Sequence, residues 1–135
     1  MHKTLPLTLL TLAACASNEC EPTSLERGAE LYDEGRYEEA VSMYRVAVSK
    51  EPDSAHAHDL HGEALMEIGR YDEALAALDR AVELDPENAH AHGHRGQVLL
   101  ALGLVDQAVK EFEHAVRLAP DREYFRRSLE RAKNR

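Results

Sequence analysis

The sequence predicts an all-α solenoid, because several kinds of residue recur along it at a fixed spacing of 34 residues. Two sets of glycines, two sets of alanines and one set of prolines keep this spacing. They are Gly28, Gly62 and Gly96; Gly35, Gly69 and Gly103; Ala40, Ala74 and Ala108; Ala47, Ala81 and Ala115; and Pro52, Pro86 and Pro120. A period of this length is typical of stacked helix–turn–helix units. We therefore expect three repeats, at residues 23–54, 55–88 and 89–122, followed by a C-terminal capping helix at 123–135.

Each recurring residue has a mechanical role in the predicted repeat. The first glycine set and both alanine sets are small, so the two helices of a unit can pack closely. Gly35 and its equivalents suit the left-handed end of a first helix, and Pro52 and its equivalents end the second helix. Ser54 and Asn88 are good N-caps for the helices that follow them. The predicted helices lie near 23–34, 38–50, 55–68, 72–84, 89–102, 106–118 and 121–133.

Large apolar residues complete each repeat. They are Tyr37, Tyr71 and Val105 at one position and Tyr44, Leu78 and Phe112 at another. Together with the recurring small residues and prolines, they resemble the tetratricopeptide repeat (TPR) over about residues 21–122. The resemblance implies a helical solenoid that binds a protein or peptide and needs no cofactor. No nucleophile elbow, phosphate-binding loop or paired-carboxylate motif is visible, so the sequence predicts no enzymatic activity.

In the TPR family the first helix of each repeat lines a concave groove, and the resemblance implies which residues line it here. They are Tyr32, Asp33, His56, Asp59, Glu63, Met66, Glu67, His90, Gln97 and Leu100. Three of them, Tyr32, Met66 and Leu100, are expected to form an apolar row. Asp33, Asp59, Glu63 and Glu67 are expected to form an acidic cluster around its first half. Such a groove suits a basic or amphipathic segment of a partner protein; the alternative is that the acids only keep the solenoid soluble.

The carboxylate clamp of some TPR proteins grips the acidic C-termini of chaperones with Lys, Asn and Arg side chains. The equivalent residues in this chain are Leu25, Ala29, Asp59, Glu63, Gly93 and Gln97. None of them is a cation, so we do not expect acidic C-termini as ligands.

Residues 1–14 are interpreted as a signal peptide, because a short basic start precedes a short apolar run. The run ends in Leu-Ala-Ala-Cys, which resembles the bacterial lipobox that is cleaved before its cysteine. The resemblance implies lipidation at Cys15, with residues 15–22 forming the lipidated N-terminus and a tether. Two alternatives remain: ordinary secretory cleavage beside Ala14, and an apolar start that arose by chance in a cytosolic protein.

A lipidated Cys15 places the protein in the bacterial cell envelope. Position 16 is Ala rather than Asp, which by resemblance to enterobacterial lipoproteins favours the outer membrane, with the repeats facing the periplasm. Cys20 would then have no partner in its own chain, which predicts a free thiol or an intermolecular disulfide.

The chain has a formal net charge of −9. This acidic balance argues against nucleic-acid binding, which depends on basic patches, and against a protein lying flat on an anionic bilayer. Residues 121–135 differ, with six Lys or Arg against three Asp or Glu. They are interpreted mainly as a solvated capping face, and contact with acidic lipid or a partner is the alternative.

Six of the eight histidines fall in two groups, at 56–61 and 90–94. His90 and His94 have an i,i+4 spacing that is compatible with a metal site. A second interpretation is that these histidines are ordinary residues at the start of the second and third repeats. His58 and His92 then occupy a position where the TPR family packs a broad ring.

We therefore expect a non-enzymatic adaptor or scaffold, a lipid-anchored periplasmic TPR lipoprotein. It resembles small TPR lipoproteins that assist the assembly of envelope complexes. The alternative is a metal-handling periplasmic lipoprotein that uses the histidine clusters.

Overall fold

The computed structural model describes residues 21–135. The predicted signal peptide at 1–14, the predicted lipidation site Cys15 and the neighbouring Cys20 lie outside the described residues. Over the described range the chain is helical, without strands. Its seven helices are α1 (Ser24–Asp33), α2 (Tyr37–Lys50), α3 (Ala55–Glu67), α4 (Tyr71–Leu84), α5 (Ala89–Ala101), α6 (Val105–Leu118) and α7 (Glu123–Lys133). The predicted solenoid of three repeats and a capping helix is confirmed, and every helix end falls within two residues of its expected position.

Each first helix ends in a Schellman motif built on a glycine. After α1, the Gly35 N–H donates to the Tyr32 carbonyl at 2.9 Å, and the Arg36 N–H donates to the Leu31 carbonyl at 2.8 Å. Two of the carbonyls left free at the helix end thus gain partners. The glycines of the three motifs are Gly35, Gly69 and Gly103, with φ of +76°, +76° and +79°. These values lie in the left-handed region, as predicted, and the turn lets the second helix start at once.

The core is a row of helix pairs held together by small residues. Gly28, Gly62 and Gly96 face the large side chains of Tyr44, Leu78 and Phe112 respectively. A Cβ at Gly62 would lie 2.6 Å from Leu78 Cγ, so only glycine allows α3 and α4 this approach. Ala40, Ala74 and Ala108 have no exposed surface. Each helix packs against its neighbours in sequence, and α3 also contacts α5, so the first helices share one face of the solenoid.

The first helices begin with side-chain caps. Ser54 Oγ accepts a hydrogen bond from the Ala57 N–H at 3.2 Å, and Asn88 Oδ1 accepts from the His90 N–H at 3.0 Å, as predicted. The cap of α1 was not predicted: Thr23 and Glu26 form a capping box. These hydrogen bonds satisfy N–H groups that have no partner within the helix.

Helix α7 closes the C-terminal end of the solenoid. Phe125 is 2% exposed and lies so close to α5 that a Cβ at Gly93 would be 2.5 Å from its ring. Ala132 is also buried, whereas Tyr124 is 52% exposed. Tyr124 therefore contributes to the surface rather than to the core. Within residues 21–135, no helix is both long and apolar enough to cross a bilayer.

Candidate protein-interaction groove

A cavity of about 370 Å³ lies between α3, α5 and the start of α7. Five of the ten residues predicted for the groove line it: Glu63, Met66, Glu67, His90 and Gln97. The remaining lining residues are His94, Arg122, Tyr124 and Phe125. The structure therefore brings five of the eight residues predicted in the second and third repeats together, and the capping helix adds a wall.

Tyr32 links the first repeat to the second across this face. Its hydroxyl donates a hydrogen bond to Glu63 Oε1 at 3.1 Å and lies 3.4 Å from Glu67 Oε1. Partial burial and the two carboxylates raise the pKa of Tyr32 far above its usual value. Tyr32 is thus a hydrogen-bond donor that positions Glu63, in addition to the apolar surface that it was predicted to supply.

Asp59 and His94 form a pair between α3 and α5. His94 Nδ1 lies 2.9 Å from Asp59 Oδ1, and the Asp59 side chain is only 7% exposed. The amide of Asn88 lies 3.5 Å from the other Asp59 oxygen. Asp59 was predicted to belong to the acidic cluster of the groove, and its carboxylate is buried and bonded to His94 within the fold.

The second nitrogen of His94 also faces an acid, because Nε2 lies 3.7 Å from Glu63 Oε1. Burial opposes a charge on His94, but the hydrogen bond to Asp59 and the negative charges of Asp59, Glu63 and Glu67 outweigh it. Together they raise the pKa of His94 above its usual value. The imidazolium donates a hydrogen bond from Nδ1 to Asp59, and its charge attracts Glu63, which at 3.7 Å lies beyond hydrogen-bond distance. The groove floor thus carries a histidine whose charge depends on pH.

Three further predicted groove residues, Asp33, His56 and Leu100, do not line this cavity. Asp33 and His56 are exposed. Leu100 is half-buried and lines the adjoining part of the surface with residues of α7. The predicted apolar row is therefore divided, with Met66 in the cavity and Leu100 beyond it.

His92 anchors a second network, away from the cavity. Its Nδ1 lies 2.8 Å from Glu111 Oε2, and its Nε2 lies 2.8 Å from the Pro86 carbonyl oxygen. Both partners accept hydrogen bonds, so the buried ring donates from both nitrogens. Burial opposes this charge, yet these two partners raise the pKa of His92. Arg95 joins the network at 3.2 Å from Glu111 and 2.8 Å from Asp79.

Several histidines of the two groups are held by contacts within the fold. The His90 and His94 ring centroids are 6.4 Å apart, and both nitrogens of His94 face carboxylates. His58 Nε2 lies 2.8 Å from the Pro52 carbonyl, the equivalent of the contact between His92 and Pro86. Over residues 21–135, no group of three or more His, Cys, Asp or Glu side chains is arranged to hold a metal ion.

Comparison with known families agrees with this architecture. Two family models, both described as tetratricopeptide repeat, match the sequence, one over residues 60–123 and the other over residues 31–83. Residues 31–123, which the two models span together, are built of tetratricopeptide repeats. No curated protein sequence matches the chain.

Solved TPR domains superpose on most of the chain. The second TPR domain of human RPAP3, in complex with an HSP70 peptide, is 26% identical, with a TM-score of 0.78 over 82% of this chain and 92% of that one. The first TPR of Spaghetti (RPAP3), bound to an HSP90 peptide, is 22% identical, with a TM-score of 0.80 over 82% of this chain and 88% of that one. The Arabidopsis OM64 TPR domain is also 22% identical, with a TM-score of 0.80 over 82% and 92%.

The TPR positions that carry a carboxylate clamp in other members are occupied differently here. Gly93 is covered by the Phe125 ring, Asp59 is bonded to His94, and Glu63 is bonded to Tyr32. The shared fold therefore presents a groove of different chemistry. TPR families are typically non-enzymatic protein-interaction domains.

Four lining residues were not predicted: His94, Arg122, Tyr124 and Phe125. The sequence does contain a signal for the contribution of α7, since Gly93 leaves space on α5 for a ring such as Phe125. The pairing of His94 with Asp59 joins residues 35 apart. It follows from the stacking of α3 on α5, and a local motif would not reveal it.

Proposed function

We propose that this TPR chain is a non-enzymatic adaptor that binds a segment of a partner protein in the groove between α3, α5 and α7. The observation that carries the proposal is the cavity of about 370 Å³ itself, in which two carboxylates flank a thioether. Met66 supplies apolar contact, and Glu63 and Glu67 supply negative charge. A concave surface with an apolar anchor and a few polar groups is typical of a binding site.

The charge of this cavity favours a ligand that presents a cation to α3. Glu67 is exposed, and Glu63 is half-buried. Opposite charges across an interface accelerate encounter, and buried apolar contacts then slow dissociation. A basic or amphipathic segment provides both. The peptides named with the RPAP3 structures, SGPTIEEVD and SRMEEVD, end in acids and do not suit the α3 side.

We further propose that a lipid on Cys15 holds the adaptor on the bacterial outer membrane, facing the periplasm, where it assists the assembly of an envelope complex. The support is the Leu-Ala-Ala-Cys sequence at the end of the apolar run. One acyl chain gives only reversible membrane binding, and two or more anchor firmly. The short polar tether at 15–22 would keep the groove close to the membrane.

Site-specific photocrosslinking in living cells tests the groove. A photoreactive amino acid replaces Met66 in one variant and Val46 in a matched control. Val46 is 38% exposed on α2, a second helix that does not line the cavity. We expect a discrete crosslinked band from position 66 and none from position 46. Bands from position 46 alone would overturn the proposal.

A further inference from the structure

The groove continues beyond the cavity described above. A second cavity, of about 290 Å³, opens beside it against α5, α6 and α7. Gln97 and Tyr124 line both cavities, so the two form one continuous surface. Leu100 contributes an apolar part of the second cavity. Tyr124 stands at the junction with half of its surface exposed.

The acidic and basic residues of the groove come from opposite sides of it. The acids of the first cavity, Glu63 and Glu67, come from α3. The charged residues that line the second cavity are Arg127 and Arg131, which both come from α7. Arg122, at the N-cap of α7, lines the first cavity. The charge along the groove therefore changes from negative at α3 to positive at α7.

One face of α7 is directed at this groove. Tyr124, Arg127, Ser128 and Arg131 follow the i, i+3, i+4, i+7 spacing that places residues on one side of a helix, and all four line the second cavity. Arg126 is exposed but lines neither cavity. Arg127 pairs with Glu123 at 2.6 Å, yet its side chain remains 72% exposed and accessible to a ligand. The basic residues of α7 are thus divided between the groove and open solvent.

We propose that the groove binds a segment of mixed charge, with basic residues against Glu63 and Glu67 and acidic residues against Arg127 and Arg131. This inference rests on the proposed function and narrows its partner class. A uniformly basic segment would meet like charge at α7, and a uniformly acidic segment would meet like charge at α3. Such repulsion excludes wrong partners. Apolar residues between the two charged ends would contact Met66, Tyr124 and Leu100.

Selection from a phage-displayed library of random peptides tests the inference on the purified full-length protein. We expect the enriched peptides to carry Lys or Arg towards one end, Asp or Glu towards the other, and apolar residues between. When the selection is repeated on the double variant Arg127→Ala/Arg131→Ala, the enriched peptides should lose their preference for acidic residues and keep their preference for basic residues. Arg126→Ala is the matched control and should leave both preferences intact. A synthetic copy of an enriched peptide should bind the double variant about tenfold more weakly and bind the control unchanged.

Three outcomes separate this inference from the proposed function. Enriched peptides that are basic throughout would overturn the mixed-charge inference and leave the groove adaptor standing. Acid preference that survives Arg127→Ala/Arg131→Ala would also overturn it. No enrichment above a protein-free surface would count against the adaptor function itself.

Discussion

The Tyr32 hydroxyl on α1 donates a hydrogen bond to the Glu63 carboxylate on α3 across 3.1 Å. The contact joins two repeats on the face that forms the groove. Because His94 approaches the same carboxylate from α5 at 3.7 Å, Glu63 is held between the first and third repeats. The acid at the centre of the groove is therefore fixed in place before any ligand arrives.

Tyr32→Phe removes this hydrogen bond and keeps the ring. A hydrogen bond to a charged group typically contributes about 1.5–3 kcal/mol, and partial exposure reduces that value, so we expect a loss of about 1 kcal/mol. Urea denaturation followed by far-UV circular dichroism measures it. Tyr71→Phe is the control, because the structure shows no side-chain hydrogen bond for Tyr71 within residues 21–135. Equal losses in the two variants would show that the contact between Tyr32 and Glu63 contributes nothing to stability.

Stability is expected to fall as the pH rises above neutrality. The pKa values of His92 and His94 are raised in the fold. The two histidines therefore contribute their full stabilisation to the fold below the ordinary pKa of histidine, near 6.5. This stabilisation is lost as the pH rises through their raised pKa values. The melting temperature should drop as the pH rises above about 6.5, and His94→Gln should reduce the drop. An unchanged pH profile in that variant would contradict the role assigned to His94.

His61 produces the opposite trend in acid. Burial, followed by the positive charge of Arg45, lowers its pKa to about 4, so the ring is neutral in the fold. Its Nε2 is buried and has no hydrogen-bond partner among residues 21–135. The unfolded chain binds the proton more readily, so stability should be lost as the pH falls from 6.5 towards 4. His61→Leu should flatten this acid side of the melting profile. A profile as steep as that of the parent protein would rule out His61 as its cause.

Gly62→Ala tests the close packing of α3 on α4. The new Cβ would lie 2.6 Å from Leu78 Cγ, and overpacking of this kind costs about 1–3 kcal/mol. The same change in a Leu78→Ala background should cost much less, because the clashing side chain is absent. Denaturant unfolding of the four proteins in this cycle gives the coupling energy. If the losses in free energy of unfolding from the two substitutions simply added, Gly62 would have a role other than making room for Leu78.

The fold was predictable because the residues that determine the packing of each repeat recur in its sequence. Gly62 packs against Leu78, and Gly69 forms a left-handed turn. Both requirements involve residues of one repeat and recur at a fixed spacing, so the ends of the helices could be predicted to within two residues. The chemistry of the groove was harder to predict from the sequence. Asp59 was expected in the acidic cluster that a ligand would contact, but the stacking of α5 on α3 buries it against His94. The exposure of Tyr124 likewise depends on how α7 packs against α5, which no local motif records.

The groove assignment is tested most directly by NMR titration of the isotopically labelled protein with a peptide selected on it. We predict that the Met66 methyl group and the Gln97 side-chain amide shift in proportion to occupancy, while Val46 on α2 does not. Met66→Ala should weaken binding of the same peptide without loss of helicity. Shifts confined to Val46 and its neighbours on the second helices, with Met66 and Gln97 unmoved, would contradict the account.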